Sequence, residues 1–141
     1  NKYSWEDTYE NIFKLSREIK KYIKKNDRCL IISENRPEWL ISDLSIMLSG
    51  AITVPAYTTY SERDYEYIID DCTPSLIFVS SMQQYEKIKK IIPKKSFIKK
   101  IIFFDQIDDK SLNVQKIFKE EKVADQNIEH LKITRKDPAC I

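Results

Sequence analysis

Residues 33–57 read SENRPEWLISDLSIMLSGAITVPAY, and this stretch decides the fold. Pro37 suits the first turn of a helix, apolar residues then recur at helical spacing, and Gly50 suits the position just after a helix end. A short β-rich run follows at residues 51–55 and ends in Pro55, where no ladder donor is needed. A helix that leads straight into a buried strand predicts an α/β connector.

The alternation of helix and strand extends on both sides of this connector. Helices are predicted over residues 5–25, from Pro37 to before Gly50, and over 62–72, 82–92 and about 111–121; strands are predicted over 28–33, 51–55, 75–79 and 100–104. This order predicts an α/β fold with a doubly wound, mostly parallel sheet built from βαβ repeats with right-handed crossovers. The last residues, DPACI at 137–141, look like a strand just beginning, so we expect the chain to stop inside a domain.

Local signals fix several element ends. Ser4 is expected to cap the first helix, and Ser61 with Asp64 three residues later is expected to form a capping-box-like start. Asn26 is expected to adopt the left-handed conformation where the first helix gives way to the first strand.

Composition limits the class of protein. The 141 residues suit one domain, residues 1–141, and the net charge of +2 from 24 basic and 22 acidic residues argues against a dedicated nucleic-acid binder. No apolar run approaches the roughly 18 residues that a membrane span needs. Three widely spaced cysteines predict reduced thiols and a cytoplasmic setting.

The sequence offers no residues suited to catalysis or to metal binding. Gly50 is the only glycine, whereas phosphate-binding loops need several glycines close together. A GxSxG nucleophile motif is missing from the sequence as well. His130 is the only histidine and the cysteines are scattered, so the sequence supports no zinc site. We predict no catalytic residue and no metal ligand in this chain.

Residues 26–81 resemble one region of a known family. The pieces that carry the resemblance are SENRPEW at 33–39, GAITVPAY at 50–57 and YIIDDCTPSLIFV at 67–79, in register, and SWEDTYENIFKLSREI at 4–19 is similar to the preceding helix. They are similar to the N-terminal part of adenylate-forming acyl-CoA synthetases of the AMP-binding family, most of all to the long-chain fatty acid–CoA ligases. The resemblance implies an incomplete N-terminal subdomain of the adenylating enzyme fold.

The resemblance implies a two-step reaction for the full-length enzyme. A fatty acid and ATP, with Mg2+, give an acyl-adenylate and pyrophosphate, and the thiol of CoA then displaces AMP. The family's Ser/Thr/Gly-rich phosphate loop is expected beyond Ile141, so the resemblance predicts that residues 1–141 alone are inactive.

The resemblance also implies one binding site within the chain. In related ligases the loop after the second strand lies near the CoA nucleotide, where a basic residue can meet its phosphate, and Tyr57, Thr58, Thr59 and Arg63 occupy the matching region. The alternative interpretation of the same residues is a loop followed by a helix cap.

A second hypothesis is a non-catalytic α/β binding module. Seven lysines crowd the stretch Lys87–Lys100, which would suit an anionic membrane surface or RNA. A cut domain should also expose apolar surface, which predicts self-association, such as a homodimer. For the ligase we expect a cytoplasmic protein, with peripheral contact to the membrane and no nucleic-acid partner.

Overall fold

A computed structural model describes residues 3–120, 136–138 and 140 of the chain. Its helices are α1 (Trp5–Ile19), α2 (Pro37–Leu48), α3 (Glu62–Cys72), α4 (Met82–Glu86) and α5 (Val114–Phe118), with a 3-10 turn at Ile92–Lys94. Its strands are β1 (Arg28–Ile32), β2 (Ile52–Ala56), β3 (Leu76–Val79) and β4 (Lys100–Phe103). The predicted alternation of helix and strand is confirmed.

The four strands form one sheet in the order β2-β1-β3-β4. Every pair of neighbouring strands is parallel, and Leu30 in β1 lies between Val54 of β2 and Ile77 of β3. The carboxyl ends of all four strands therefore meet at one edge of the sheet. β2 is an outer strand of the four, and Pro55 is exposed in it. Its missing N–H therefore costs little there.

Both faces of the sheet are covered by helices. Along β1, Cys29 and Ile31 pack into a core with α1, α2 and α5, whereas Leu30 and Ile32 pack into a second core with α3 and the segment after α4. This alternation explains why the strand RCLII is apolar along almost its whole length. The fold is doubly wound, as predicted.

The predicted cap residues take their expected geometry. The Ser4 hydroxyl accepts from the backbone N–H of Asp7 at 3.0 Å, and the Ser61 hydroxyl accepts from that of Asp64 at 3.3 Å. Both sites are complete capping boxes. Gly50 has φ 78° just beyond α2. These features depend on residues within a few positions of each other, which is why the sequence could predict them.

Two predicted helices are too long. The first ends at Ile19 rather than at residue 25, and Tyr22 and Ile23 pack on the core from the turns that follow, which explains why the apolar spacing continues. The helix predicted over 82–92 shrinks to α4 and a series of turns before Pro93. Pro93 itself lies in the 3-10 turn, and the residues between α4 and that turn are joined by separate turn hydrogen bonds such as Ile88 N–H to the Tyr85 carbonyl and Ile91 N–H to the Ile88 carbonyl.

The end of the chain is described only in part. The helix predicted near 111–121 is the shorter α5, which begins after Asn113, whose side chain accepts from the N–H of Lys116 at 2.9 Å. Of the strand predicted at 137–141, Cys140 forms a parallel bridge with Thr53 of β2. Residues 139 and 141 of that strand, and His130, lie outside the described residues.

Asn26 supplies a test of local backbone conformation. It has φ 67° and is exposed, so the left-handed conformation that we predicted is present. Asn26→Ala should lower the free energy of unfolding by about 1 kcal/mol, because alanine tolerates this conformation less well than asparagine. Urea unfolding of the chain would measure the change. Asn35→Ala is the matched control at an exposed position without positive φ, and an equal loss in both variants would contradict the prediction.

Candidate functional site

The carboxyl edge of the sheet is where a doubly wound fold binds its ligands. The connection after β1 uses α2 on one face, whereas the connection after β3 uses α4 on the other face. These two strands are neighbours, so the topological switch point lies between them. Four loops surround it, at residues 33–36, 57–61, 80–81 and 104–106.

The loop after β2 is held by one side chain from α3 and one from the residue that follows α4. The Lys87 ammonium donates to the backbone carbonyl oxygens of Thr58 at 2.6 Å and of Tyr60 at 3.3 Å. The Tyr65 hydroxyl donates to the carbonyl oxygen of Tyr57 at 2.6 Å. Three of the carbonyls in residues 57–60 are thus bound by partners, which fixes the path of this loop.

The predicted CoA-binding residues gather at this loop. Tyr57 is 72% exposed, and its ring meets the ring of Tyr60 edge-on at 5.5 Å between centroids. Thr58 is half-buried and Thr59 is exposed. Arg63 is exposed in the first turn of α3, which directly follows the loop. The structure brings the four positions together, and CoA binding stays a prediction.

Tyr65 is the buried anchor of this loop. Its ring is fully buried, and burial raises the pKa of its hydroxyl to about 12. The hydroxyl therefore keeps its proton at neutral pH and continues to donate to the Tyr57 carbonyl. The sequence predicts a helix over residues 62–72 but not this role of Tyr65, because helical spacing carries no information about the partner of a hydroxyl group.

A second polar cluster, centred on Arg36, lies at the same edge of the sheet. Its guanidinium contacts the carboxylates of Glu38 at 2.9 Å and of Asp105 at 3.0 Å. The same group lies 5.7 Å from the centre of the Phe104 ring. Glu38 is 2% exposed and also accepts from the side chain of Gln115 at 3.2 Å. Arg36 thereby joins the start of α2 to the end of β4.

The charges of this cluster stabilise each other. Burial by itself would raise the pKa of Glu38, but the hydrogen bonds from Arg36, from Tyr3 and from its own backbone N–H, together with the charge of Arg36, outweigh burial and hold the pKa below its usual range. Burial likewise opposes the charge of Arg36, and the hydrogen bonds to Glu38 and Asp105 more than offset it and raise its pKa. The sequence does not predict this role of Arg36. The spacing of opposite charges in NRPEW was the available signal, and Asp105 is 69 residues away.

The basic stretch Lys87–Lys100 is not a uniform free patch. Lys87 binds the loop after β2, and three further lysines, Lys89, Lys95 and Lys99, pair with Glu86, Asp70 and Asp27 respectively. These ion pairs reduce the charge available to a membrane or RNA. Binding of such a surface by this stretch stays a prediction.

The described residues do not fit ATP or Mg2+. A triphosphate needs a cradle of backbone N–H groups, which usually requires several glycines, and Gly50 ends a helix instead. In residues 3–120, 136–138 and 140, no group of three histidine, cysteine, aspartate or glutamate side chains could hold a metal ion. No helix in the same residues is long and apolar enough to cross a membrane.

The fold is that of adenylate-forming enzymes, of which it covers a partial, N-terminal region. A red-emitting luciferase from Phrixothrix hirtus superposes on the whole of this chain with a TM-score of 0.79 at 20% identity, and the chain covers 28% of that structure. At this level of identity the likeness concerns the fold alone.

The family is shown by sequence. A family model of AMP-binding enzymes matches residues 1–141, and the chain therefore belongs to this family. The chain is 30% identical over 108 residues to the human long-chain-fatty-acid–CoA ligase ACSBG1, and 29% identical over 110 residues to the long chain acyl-CoA synthetase 3 of Arabidopsis thaliana. The match to the human ligase covers 72% of this chain and 15% of the length of that protein, and the match to the Arabidopsis synthetase covers 75% and 16%. The chain spans about a sixth of the relatives' length.

Proposed function

We propose that this chain is the N-terminal part of the adenylation domain of a long-chain fatty acid–CoA ligase. The full enzyme would join a fatty acid to AMP at the expense of ATP, release pyrophosphate, and transfer the acyl group to the thiol of CoA. The observation that carries the proposal is the match of residues 1–141 to the AMP-binding family, together with the similarity to long-chain ligases.

The structure supports a division of work within the enzyme. The residues described contain no cradle for the triphosphate, so we assign them no step of adenylation. What they supply is a rigid parallel sheet and, at its carboxyl edge, the loop 57–60 with Arg63. Family membership implies the use of ATP and CoA, and we propose that Mg2+ accompanies the ATP, held by residues outside this chain.

The proposed CoA contact uses charge and an exposed aromatic ring. The Arg63 guanidinium is exposed and carries five N–H donors, which suit a phosphate group. Tyr57, six residues before Arg63, offers an exposed ring, and the Thr58 and Thr59 hydroxyls add hydrogen-bonding groups. These side chains would bind and orient the nucleotide end of CoA while the reacting thiol lies elsewhere.

The test uses the full-length protein from the reading frame that encodes this chain. We expect exchange of labelled pyrophosphate into ATP that depends on a long-chain fatty acid, and formation of acyl-CoA when CoA is added. The chain of residues 1–141 is expected to show no exchange above the blank. An intact full-length protein that gives no exchange with fatty acids of any length would refute the ligase proposal.

Arg63 provides a test of the CoA site. Arg63→Met in the full-length enzyme should raise the KM for CoA about five- to tenfold, the effect of losing one charge-assisted contact. Steady-state kinetics of acyl-CoA formation would measure it. Arg17→Met, which breaks an exposed ion pair with Glu120, is the control. If both variants give the same KM for CoA, residues 57–63 are a loop followed by a helix cap.

We also propose a cytoplasmic protein that contacts the membrane at its periphery and forms a homodimer. An apolar groove supports self-association: Trp5 is 90% exposed and Leu40 is 49% exposed, and both line a cavity of about 300 Å³ with Pro37 and Ile41. Sedimentation of the full-length protein would determine the oligomeric state.

A further inference from the structure

Lys87 differs from the other lysines of the basic stretch in its partners. Lys89, Lys95 and Lys99 pair with carboxylates, whereas the ion pairs among the described residues do not include Lys87. Its ammonium instead donates to two backbone carbonyls of the loop after β2. It also lies 5.9 Å from the centre of the Tyr65 ring. The Lys87 ammonium therefore holds the backbone of the loop in place. None of these contacts neutralises its charge with a carboxylate.

The contacts bring distant parts of the chain together. Thr58 lies 29 residues before Lys87, and Lys87 follows α4, whereas Tyr65 belongs to α3. The loop 57–60 is thus fastened at Tyr57 by Tyr65 and at Thr58 and Tyr60 by Lys87. Loops are usually the most mobile parts of a fold. Three hydrogen bonds from two side chains restrict the motion of these four residues.

The hydrogen bonds from Lys87 and Tyr65 occupy backbone carbonyls and leave side chains of the loop exposed. Tyr57 and Thr59 are exposed, while the carbonyls of Tyr57, Thr58 and Tyr60 accept hydrogen bonds from the two anchoring side chains. A ligand that meets the loop would therefore find side chains already in position, which lowers the entropy lost on binding. The burial of Tyr65 keeps its hydroxyl protonated, so this arrangement persists throughout the neutral pH range.

We propose that Lys87 and Tyr65 are positioning residues that preorganise the loop 57–60 for the nucleotide end of CoA. This inference rests on the proposed function, and it assigns neither residue a direct contact with CoA. Their effect should appear in the affinity for CoA rather than in the rate of the chemical step.

The experiment compares Lys87→Met with Lys90→Met in the full-length enzyme. Methionine keeps much of the apolar stem and removes the donor, and Lys90 is an exposed lysine three residues further on. We expect Lys87→Met to raise the KM for CoA about tenfold, with kcat changed less than twofold. Lys87→Arg, which keeps a donating cation, should stay within about threefold of wild type. Lys90→Met should match wild type.

Tyr65→Phe is an independent second variant, because it keeps the buried ring and removes only the hydroxyl, which donates to the Tyr57 carbonyl at 2.6 Å and lies 3.5 Å from Gln84 Oε1. It should raise the KM for CoA about threefold, in the same direction as Lys87→Met. The inference is overturned if both variants match Lys90→Met, or if kcat falls as much as the KM rises. A wild-type enzyme without fatty-acid-dependent pyrophosphate exchange would refute the proposed function instead, so the two failures are distinguishable.

Discussion

Replacing Arg36 with methionine should lower the free energy of unfolding of the 141-residue chain by about 3 kcal/mol. The substitution leaves the Glu38 carboxylate, which is 2% exposed, without its charged partner. It also removes the contact between the start of α2 and Asp105 in the loop after β4. Urea unfolding followed by the fluorescence of Trp39, which packs against the core near this cluster, would measure the loss.

The pH dependence identifies the cause of this loss. The pKa of Glu38 lies below its ordinary value of 4.5, so its ionised form stabilises the fold above that pH, and the stabilisation is lost as pH falls through the folded pKa. In the variant, Glu38 loses the hydrogen bond and the charge of Arg36, both of which lower its pKa. Its pKa should therefore rise. Protonation then relieves the buried charge, so the gap between wild type and variant should narrow from pH 7 to pH 4.

The control for this prediction is Arg17→Met, the same substitution at an exposed ion pair. The Arg17 and Glu120 side chains are 52% and 49% exposed and lie 3.3 Å apart. Exposed pairs contribute at most about 1 kcal/mol. A similar loss in both variants, or a gap that stays constant with pH, would contradict a stabilising role for the buried charge pair.

Phe78→Ala should cost about 4 kcal/mol, the largest effect that we expect from a single side chain in the sheet. Phe78 lies in β3, one of the two central strands, is fully buried, and packs near Phe104 with 6.3 Å between ring centroids. Removing the ring leaves a cavity beneath α1, α2 and α5. Domains of this size are stabilised by roughly 5–15 kcal/mol, so the variant should be close to unfolding at room temperature.

Equilibrium unfolding in urea again supplies the measurement, with two comparison variants. Tyr67→Ala removes a ring that is 72% exposed and should change stability by less than about 0.5 kcal/mol. Phe78→Leu preserves most of the volume and should cost about 1.5 kcal/mol at most. If Phe78→Ala costs no more than Tyr67→Ala, β3 is not the buried central strand of the sheet.

The sequence predicted where most residues of the candidate site lie along the chain. It predicted few of the contacts that their side chains make. The resemblance placed Tyr57, Thr58, Thr59 and Arg63 after the second strand, and the structure places them at the carboxyl edge of the sheet. Lys87 was interpreted as part of a basic surface because its neighbours are lysines. Its partners lie 27 and 29 residues earlier, and no spacing rule connects them.

The sequence by itself determined the order of the elements, the helix cap at Ser4, the capping box at Ser61, and the left-handed residues Asn26 and Gly50. These depend on backbone groups within one turn of the residue concerned, so local chemistry is sufficient. Only the tertiary structure decided the strand order β2-β1-β3-β4 and the pairing of Arg36 with Asp105 across 69 residues. Which distant segments meet depends on how the helices pack on the two faces of the sheet, and no local pattern specifies that packing.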